Sequence, residues 1–410
     1  MKNYEIKYYD VLSFIYNNSG GNSAAVVLII EQSDYDFDKK QSNNNFNKPE
    51  KIDYSFKKIK IINNIANKKY NRIALNNIYL TDKVMQKIAK RIGYSETAFV
   101  FLSSDLINNN YNNLKNNNYS NLIKNNYNTS INNSYFKKYT FNEFYVRFFT
   151  PEKEVDYCGH ATLAVFKVLK NEGIINEGIF EEITNSYKIE VKIDSSGLIL
   201  IKQNNPQFIK KIDFKEIRNL FLLDNEEKNI FNLKLYPEIV NTGLSDLIIP
   251  VKNRKILNDI VPDLKKISKI QKKYNLDDIH VFALNENIDD ENKINRNVAI
   301  KIENDKIKNN KIFAYARNFS PLLGIDEESA TGSASGSLVS YLYKYNILDY
   351  NRAKKGIFFL QGEVLNKDSL IFAKIEYENH KNIEDNLKSY DFNVYVGGYC
   401  KIKKNKFILI

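Results

Sequence analysis

Two stretches of this chain follow one plan, and that repetition constrains the fold more than any bulk property. The first, residues 146–169 (VRFFTPEKEVDYCGHATLAVFKVL), opens with β-branched and aromatic residues, is stopped by Pro151, and then places Leu163, Phe166 and Leu169 at helical spacing. Cys158, Gly159 and His160 fall at the start of that helix. The second, residues 319–342 (FSPLLGIDEESATGSASGSLVSYL), has a turn with Pro321 and Gly324, an acidic run, small residues, and then a helix through Leu338, Tyr341 and Leu342. A helix start exposes backbone N–H groups that lack intrahelical partners, and with the macrodipole these favour an anion such as a carboxylate. Gly159 lets a ligand approach the main chain without meeting a Cβ. Two such starts point to two related halves facing one ligand. Read alone, the first stretch also describes a capped core helix with a buried His and Cys.

Further pieces carry a family pattern in a fixed order. They are residues 10–27 (DVLSFIYNNSGGNSAAVV), 94–101 (YSETAFVF), 147–164 (RFFTPEKEVDYCGHATLA), 241–251 (NTGLSDLIIPV), 316–338 (ARNFSPLLGIDEESATGSASGSL) and the Gln-Gly pair at Gln361. Together they resemble the PhzF-like isomerases of phenazine biosynthesis, relatives of diaminopimelate epimerase and proline racemase, over nearly the whole chain. The resemblance implies a diaminopimelate epimerase-like α/β (α+β) fold with two pseudo-symmetric domains, each a mostly antiparallel barrel-like sheet around a central helix. The domains would be residues 1–206, with Asn/Lys-rich insertions at 32–72 and 103–140, and residues 207–410, with a return of the last strand to the first domain left open.

Composition bounds the remaining readings. The 410 residues are 43% hydrophobic and 13% aromatic, enough for two cores. No run of 18 apolar residues occurs and the N-terminal stretch alternates like a strand, which predicts a cytoplasmic protein without a membrane partner. Cys158 and Cys400 form no disulfide or metal-ligand spacing, and His160, His280 and His380 show no i, i+4 pairing, so no metal site is expected. Much of the net charge of +11 lies in the insertions: residues 31–72 hold ten Lys or Arg against six Asp or Glu, and residues 103–140 hold four against one. With eight arginines in all, specific nucleic-acid binding is not expected.

In chain order, residues 4–12 read as a strand and the turn at 17–22 carries Gly20 and Gly21. A helix is predicted over 81–92, capped by Thr81 or Asp82 and ended by Gly93. A short strand over 94–101 has Glu96 as its one charged residue, either on an exposed face or partly buried with its pKa raised. Strands are predicted within 183–201, over 240–250, 280–284, 297–302, 356–361, 369–376, 392–398 and 407–410. Helices are predicted after Asp213, through Leu220 and Phe221, and over 256–267 with Pro262 at a start or bend. Residues 206–208 are expected to cross between domains, and His280 reads as a packing residue.

Residue roles follow from the resemblance. A two-thiol racemase is excluded, because the position matching the second thiol lies in the run Ala330, Thr331, Gly332. The isomerase arrangement uses a Glu acid/base supported by a His and an Asp, implying Glu96 and His160, with Glu328 where relatives have Asp. Glu328 adds a methylene, and a misplacement of about an ångström can cost on the order of a hundredfold in rate. Asn22, Cys158, Gly159, Thr331, Gly332 and Ser333 are the implied substrate-binding residues. Ser23 replaces a family proline, and residues 366–369 replace a Gly-Arg-Pro-Ser run. The implied ligand is a small carboxylate, the implied chemistry needs no cofactor, and a homodimer is an allowed assembly. The alternative is a non-catalytic member that binds a metabolite or a protein.

Overall fold

The architecture follows from a computed structural model that describes residues 5–31, 59–61, 74–75, 81–103, 142–222, 230–286, 312–377 and 391–409. Among the described residues the main sheet contains 20 strands, and its pairing pattern is written twice. The seam is the antiparallel pair Ile199–Gln203 with Asn393–Gly398. Outward on one side come Lys188–Ile193, Gly178–Ile183, Glu143–Phe149, Glu96–Ser103, Asn22–Glu31, Glu5–Ser13 and Cys400–Leu409. On the other come Ser369–Glu376, Ile357–Gln361, Ile312–Ser320, Asp278–Leu284, Ser245–Pro250, Glu238–Asn241 and Gln207–Lys211. In both directions the sense runs antiparallel twice, parallel, antiparallel, parallel, then antiparallel twice. The fold is therefore α/β with two pseudo-symmetric sheet halves.

Each half wraps one helix, and the sequence explains why that helix is central. Gly159–Asn171 buries nine residues, including Leu163, Val165, Phe166 and Leu169, so it is apolar on nearly every side. Gly332–Lys344 buries ten, among them Ala334, Ser335, Gly336 and Ser337, whose small size lets strands approach. A Cβ on Gly336 would lie 3.1 Å from Thr242 Oγ1 and 3.2 Å from a Val396 methyl. Burying each large apolar side chain contributes about 1.5–3 kcal/mol, so Leu338→Ala in this helix should cost about 2–5 kcal/mol. One main core contains residues of both helices, which joins the halves energetically.

Several sequence expectations are corrected at the level of elements. The strand expected over 240–250 is a hairpin, Glu238–Asn241 and Ser245–Pro250, with Thr242 and Gly243 in its turn and Gly243 at φ +135°. The helix expected over 256–267 is two helices, Arg254–Asp259 and Leu264–Tyr274, because Val261–Pro262 pairs with Phe221–Leu222 between them. That pairing also removes Phe221 from the helix after Asp213, which spans only Phe214–Ile217. The expected domain crossing at 206–208 overlaps the strand Gln207–Lys211, and the strand Gly178–Ile183 was not foreseen. The strand expected at 297–302 and most of both insertions lie outside the described residues. Among the described residues no helix is long and apolar enough to cross a membrane.

Candidate active site

The two core helices begin at the same polar cluster. Glu96 is the first residue of its strand, Asn22 the first of the strand paired beside it, and Glu328 the last of the short strand Ile325–Glu328. His160 sits in the first turn of the first core helix, after its N-cap Cys158. Ser13 Oγ donates to the His160 carbonyl at 2.7 Å, fixing that turn against the neighbouring strand.

The side chains form a continuous chain. Glu96 Oε2 lies 3.0 Å from His160 Nε2. On the other side of the ring, Nδ1 is 3.4 Å from both Cys158 Sγ and Asn22 Nδ2. Asn22 Nδ2 donates to Glu328 Oε1 at 3.1 Å, and Thr331 Oγ1 donates to Glu328 Oε2 at 2.6 Å. Gln361 closes the far end: its Nε2 donates to the Glu328 carbonyl at 2.8 Å and to Thr331 Oγ1 at 3.1 Å, while its Oε1 accepts the Thr331 N–H at 3.2 Å. Glu96, His160, Cys158, Asn22, Glu328 and Thr331 are thus assembled from five elements. Gly159 and Gly332 open the two helices, and the Ser333 carbonyl accepts from Thr242 Oγ1 at 3.4 Å. The hydroxyl of Thr331 is engaged in holding Glu328.

The environment pushes the two carboxyls apart. Burial pushes Glu96 up, but hydrogen bonding and charge from His160, with Ser95 and Cys158, outweigh it and hold Glu96 below the ordinary carboxylate range. This reverses the expectation that burial would leave Glu96 raised. Burial pushes Glu328 up, and the charges of Asp278 and Glu96 add to it against His160 and Thr331, leaving it raised to about 7. Burial disfavours the charged His160 ring, yet Cys158 and Glu96 on its two sides outweigh it and hold it well above the usual imidazole value. Burial raises the Cys158 thiol. At neutral pH the cluster therefore offers an ionised Glu96 against a protonated His160, and a Glu328 poised between its two forms.

Sequence spacing did not anticipate some of these neighbours. Glu96, Cys158 and His160 bring carboxylate, thiol and imidazole donors within 4.8 Å of one another, the one such trio found among the described residues. No i, i+4 spacing marks it, because the donors come from a strand and a helix start. Gln361 was visible only as part of a motif. Two buried arginine clamps were also missed: Arg147 binds Glu154 through two bonds of 2.7 Å, and Arg317 binds Glu327 through two of 2.8 Å. Their signal was present, since each Arg precedes a Phe, a Pro and then its Glu.

Comparison with known proteins identifies the family. Residues 134–389 match the PhzC-PhzF family model, described as phenazine biosynthesis-like protein. The chain belongs to the PhzF-like family. An uncharacterized isomerase of Clostridium acetobutylicum is 27% identical to this PhzF-like chain over 310 residues, covering 74% of the chain and 84% of the relative. The uncharacterized isomerase YddE of Escherichia coli K12 is 25% identical over 308 residues, covering 74% and 83%. In fold, the crystal structure of a Bacillus anthracis PhzF-family protein aligns with a TM-score of 0.63 at 19% identity, covering 100% of both chains. One from Enterococcus faecalis aligns with a TM-score of 0.55 at 18% identity, covering 99% of this PhzF-like chain and 100% of the other.

Proposed function

We propose that this protein is an isomerase that moves a proton between two carbons of a small carboxylate-bearing metabolite, bound between the two halves. The observation that carries the reading is the row of side chains in which Glu96 faces His160 as an ion pair, Asn22 lies beside the ring and donates to Glu328, and the two carboxyls are pushed in opposite directions. In this reading Glu96 is the base. It takes a proton from one carbon, the electron pair left behind shifts along the substrate, and Glu96 returns the same proton to a second carbon, while Glu328 donates a hydrogen bond to the oxygen that transiently gains charge. His160 stays protonated, balances the Glu96 charge and fixes its orientation. N–H groups at Gly159, His160, Gly332 and Ser333 bind the substrate carboxylate. The two halves, residues 1–206 with the returning strand Cys400–Leu409 and the remainder of the chain, act as two domains that close on the substrate.

A non-catalytic binding member is the second reading, favoured by Glu328 standing where relatives carry Asp. Against it, both Glu328 oxygens are held by hydrogen bonds, so the longer side chain is fixed. Nuclear magnetic resonance of the protein in D2O with a panel of cyclic and open-chain carboxylic acids separates the two. Deuterium uptake at a substrate carbon supports the isomerase; ligand shifts with no uptake across every ligand that binds support the binding protein.

A further inference from the structure

The two halves carry different chemistry on equivalent faces. Pairing register makes Ala24, Glu96, Ala98, Phe148 and Val155 of the first half equivalent to Asp246, Asp278, His280, Asn318 and Glu328 of the second. Thr150 likewise matches Ser320, and Ala164 of the first core helix matches Ser337. In the first half this row is apolar apart from Glu96 and Thr150, with Ala24, Ala98 and Phe148 no more than 1% exposed. The same strand pattern therefore forms on an apolar row. In the second half Asp246, His280, Asn318 and Ser337 are 0% exposed and Asp278 is 4% exposed. Burying such groups costs free energy unless they are paired, so the fold alone does not account for them.

Hydrogen bonds tie these groups to one another, and Asn318 among them is paired in register with Glu328. Asn318 Nδ2 donates to Asp278 Oδ1 at 3.0 Å, and Ser320 Oγ donates to the same oxygen. Because the Asn318 amide is spent on Asp278, its Oδ1 is an acceptor, and His280 Nδ1 donates to it at 3.0 Å. Ser337 donates to Asp246, and Asp246 faces Asp278 across parallel strands. Burial and the Asp278 charge hold the Asp246 carboxyl well above its usual range, and burial also raises Asp278 against the bonds from Ser320 and Asn318, so the two acids share a charge that falls on Asp278 when Asp246 keeps its proton. His280 is neutral, pushed down to about 4 by burial. Asn318 and Glu328 are directly paired residues and share one face of the sheet.

We propose that Asp278, held by Asn318 and Ser320 at the position equivalent to Glu96, is a positioning residue that supports Glu328 as the proton donor of the site. The charge it holds disfavours a second charge on Glu328, and the row of hydrogen bonds fixes Asn318 and Ser320 in the strand against which the short strand carrying Glu328 is paired. The other charged or titratable groups around Glu328 are His160 and Glu96 across the site, and its neighbour Glu327, bound to Arg317. The proposal rests on the reading of Glu328 as the acid, and it names the group that tunes it.

The test is infrared difference spectroscopy of the carboxyl stretch across pH, with the Glu328 band assigned by its loss in Glu328→Gln. Asp278→Asn should lower the Glu328 midpoint by on the order of one pH unit. Asp278→Ser removes the same charge with a smaller side chain and should move it in the same direction. Asp246→Asn leaves the Asp278 charge and should leave the midpoint in place. A Glu328 midpoint that stays fixed in either folded Asp278 variant overturns the proposal. Full isomerisation by Glu328→Gln would instead overturn the reading of Glu328 as the acid, while the infrared midpoint still decides the coupling.

Discussion

Glu96 and Glu328 are one residue type in two states, and the difference lies in their neighbours. His160 favours the charge on Glu96, whereas Glu328 is buried with Asp278 behind it. A reaction that needs Glu96 ionised and Glu328 protonated should follow a bell against pH, with its alkaline limb near pH 7. In Glu328→Gln that alkaline limb should vanish and the rate fall by about a hundredfold; a limb that persists would assign it to another group. His160→Asn removes the group that holds Glu96 down, so the acid limb should move to higher pH, read from initial rates between pH 4 and 7. Glu96 and His160 were legible because each stands in a short local motif. Asp278 and Asn318 were not, because their meaning comes from strands that pair across 40 residues.

At the scale of elements, each strand that leads to a core helix is tied down by an arginine clamp. Arg317 is 4% exposed and its partner Glu327 11%, and Arg317 Nη1 also donates to the Leu257 and Ile260 carbonyls at 3.1 and 2.7 Å. Arg147 is 7% exposed, but its partners Glu154 and Asp82 are 29% and 76% exposed. Removing one partner of a buried pair leaves the other uncompensated, while exposed partners fall back on water. Arg317→Met should therefore cost about 3–5 kcal/mol in denaturant unfolding and Arg147→Met clearly less; equal losses would contradict this account. Both core helices were legible from their periodicity and glycine starts. The hairpin through Thr242 and the helix break at Pro262 were not, since a tight turn and a two-residue bridge leave little periodic signal.

At the scale of the whole molecule, the doubled pairing pattern makes the site a shared property of both halves. The sequence displayed it as two similar stretches, but the register that equates Glu96 with Asp278 required the sheet. The halves also bury acids beyond the site: Glu182, 0% exposed and bonded by Thr162, is pushed up to about 8 by burial. A group that holds its proton more tightly when folded contributes stability that is full below its unfolded value, near 4.5, and lost as pH rises through about 8. Thermal stability should thus decline between pH 5 and 9, and Glu182→Gln should flatten that decline by on the order of a few kcal/mol at the alkaline end. An unchanged slope would show that Glu182 titrates normally. The central claim, that Glu96 carries a proton between carbons, is tested most directly by deuterium incorporation into a bound carboxylic acid in D2O, comparing the wild type with Glu96→Gln. The account predicts uptake by the wild type and a loss of on the order of a hundred- to ten-thousandfold in the variant with the same ligand still bound; uptake at an undiminished rate in Glu96→Gln would contradict it.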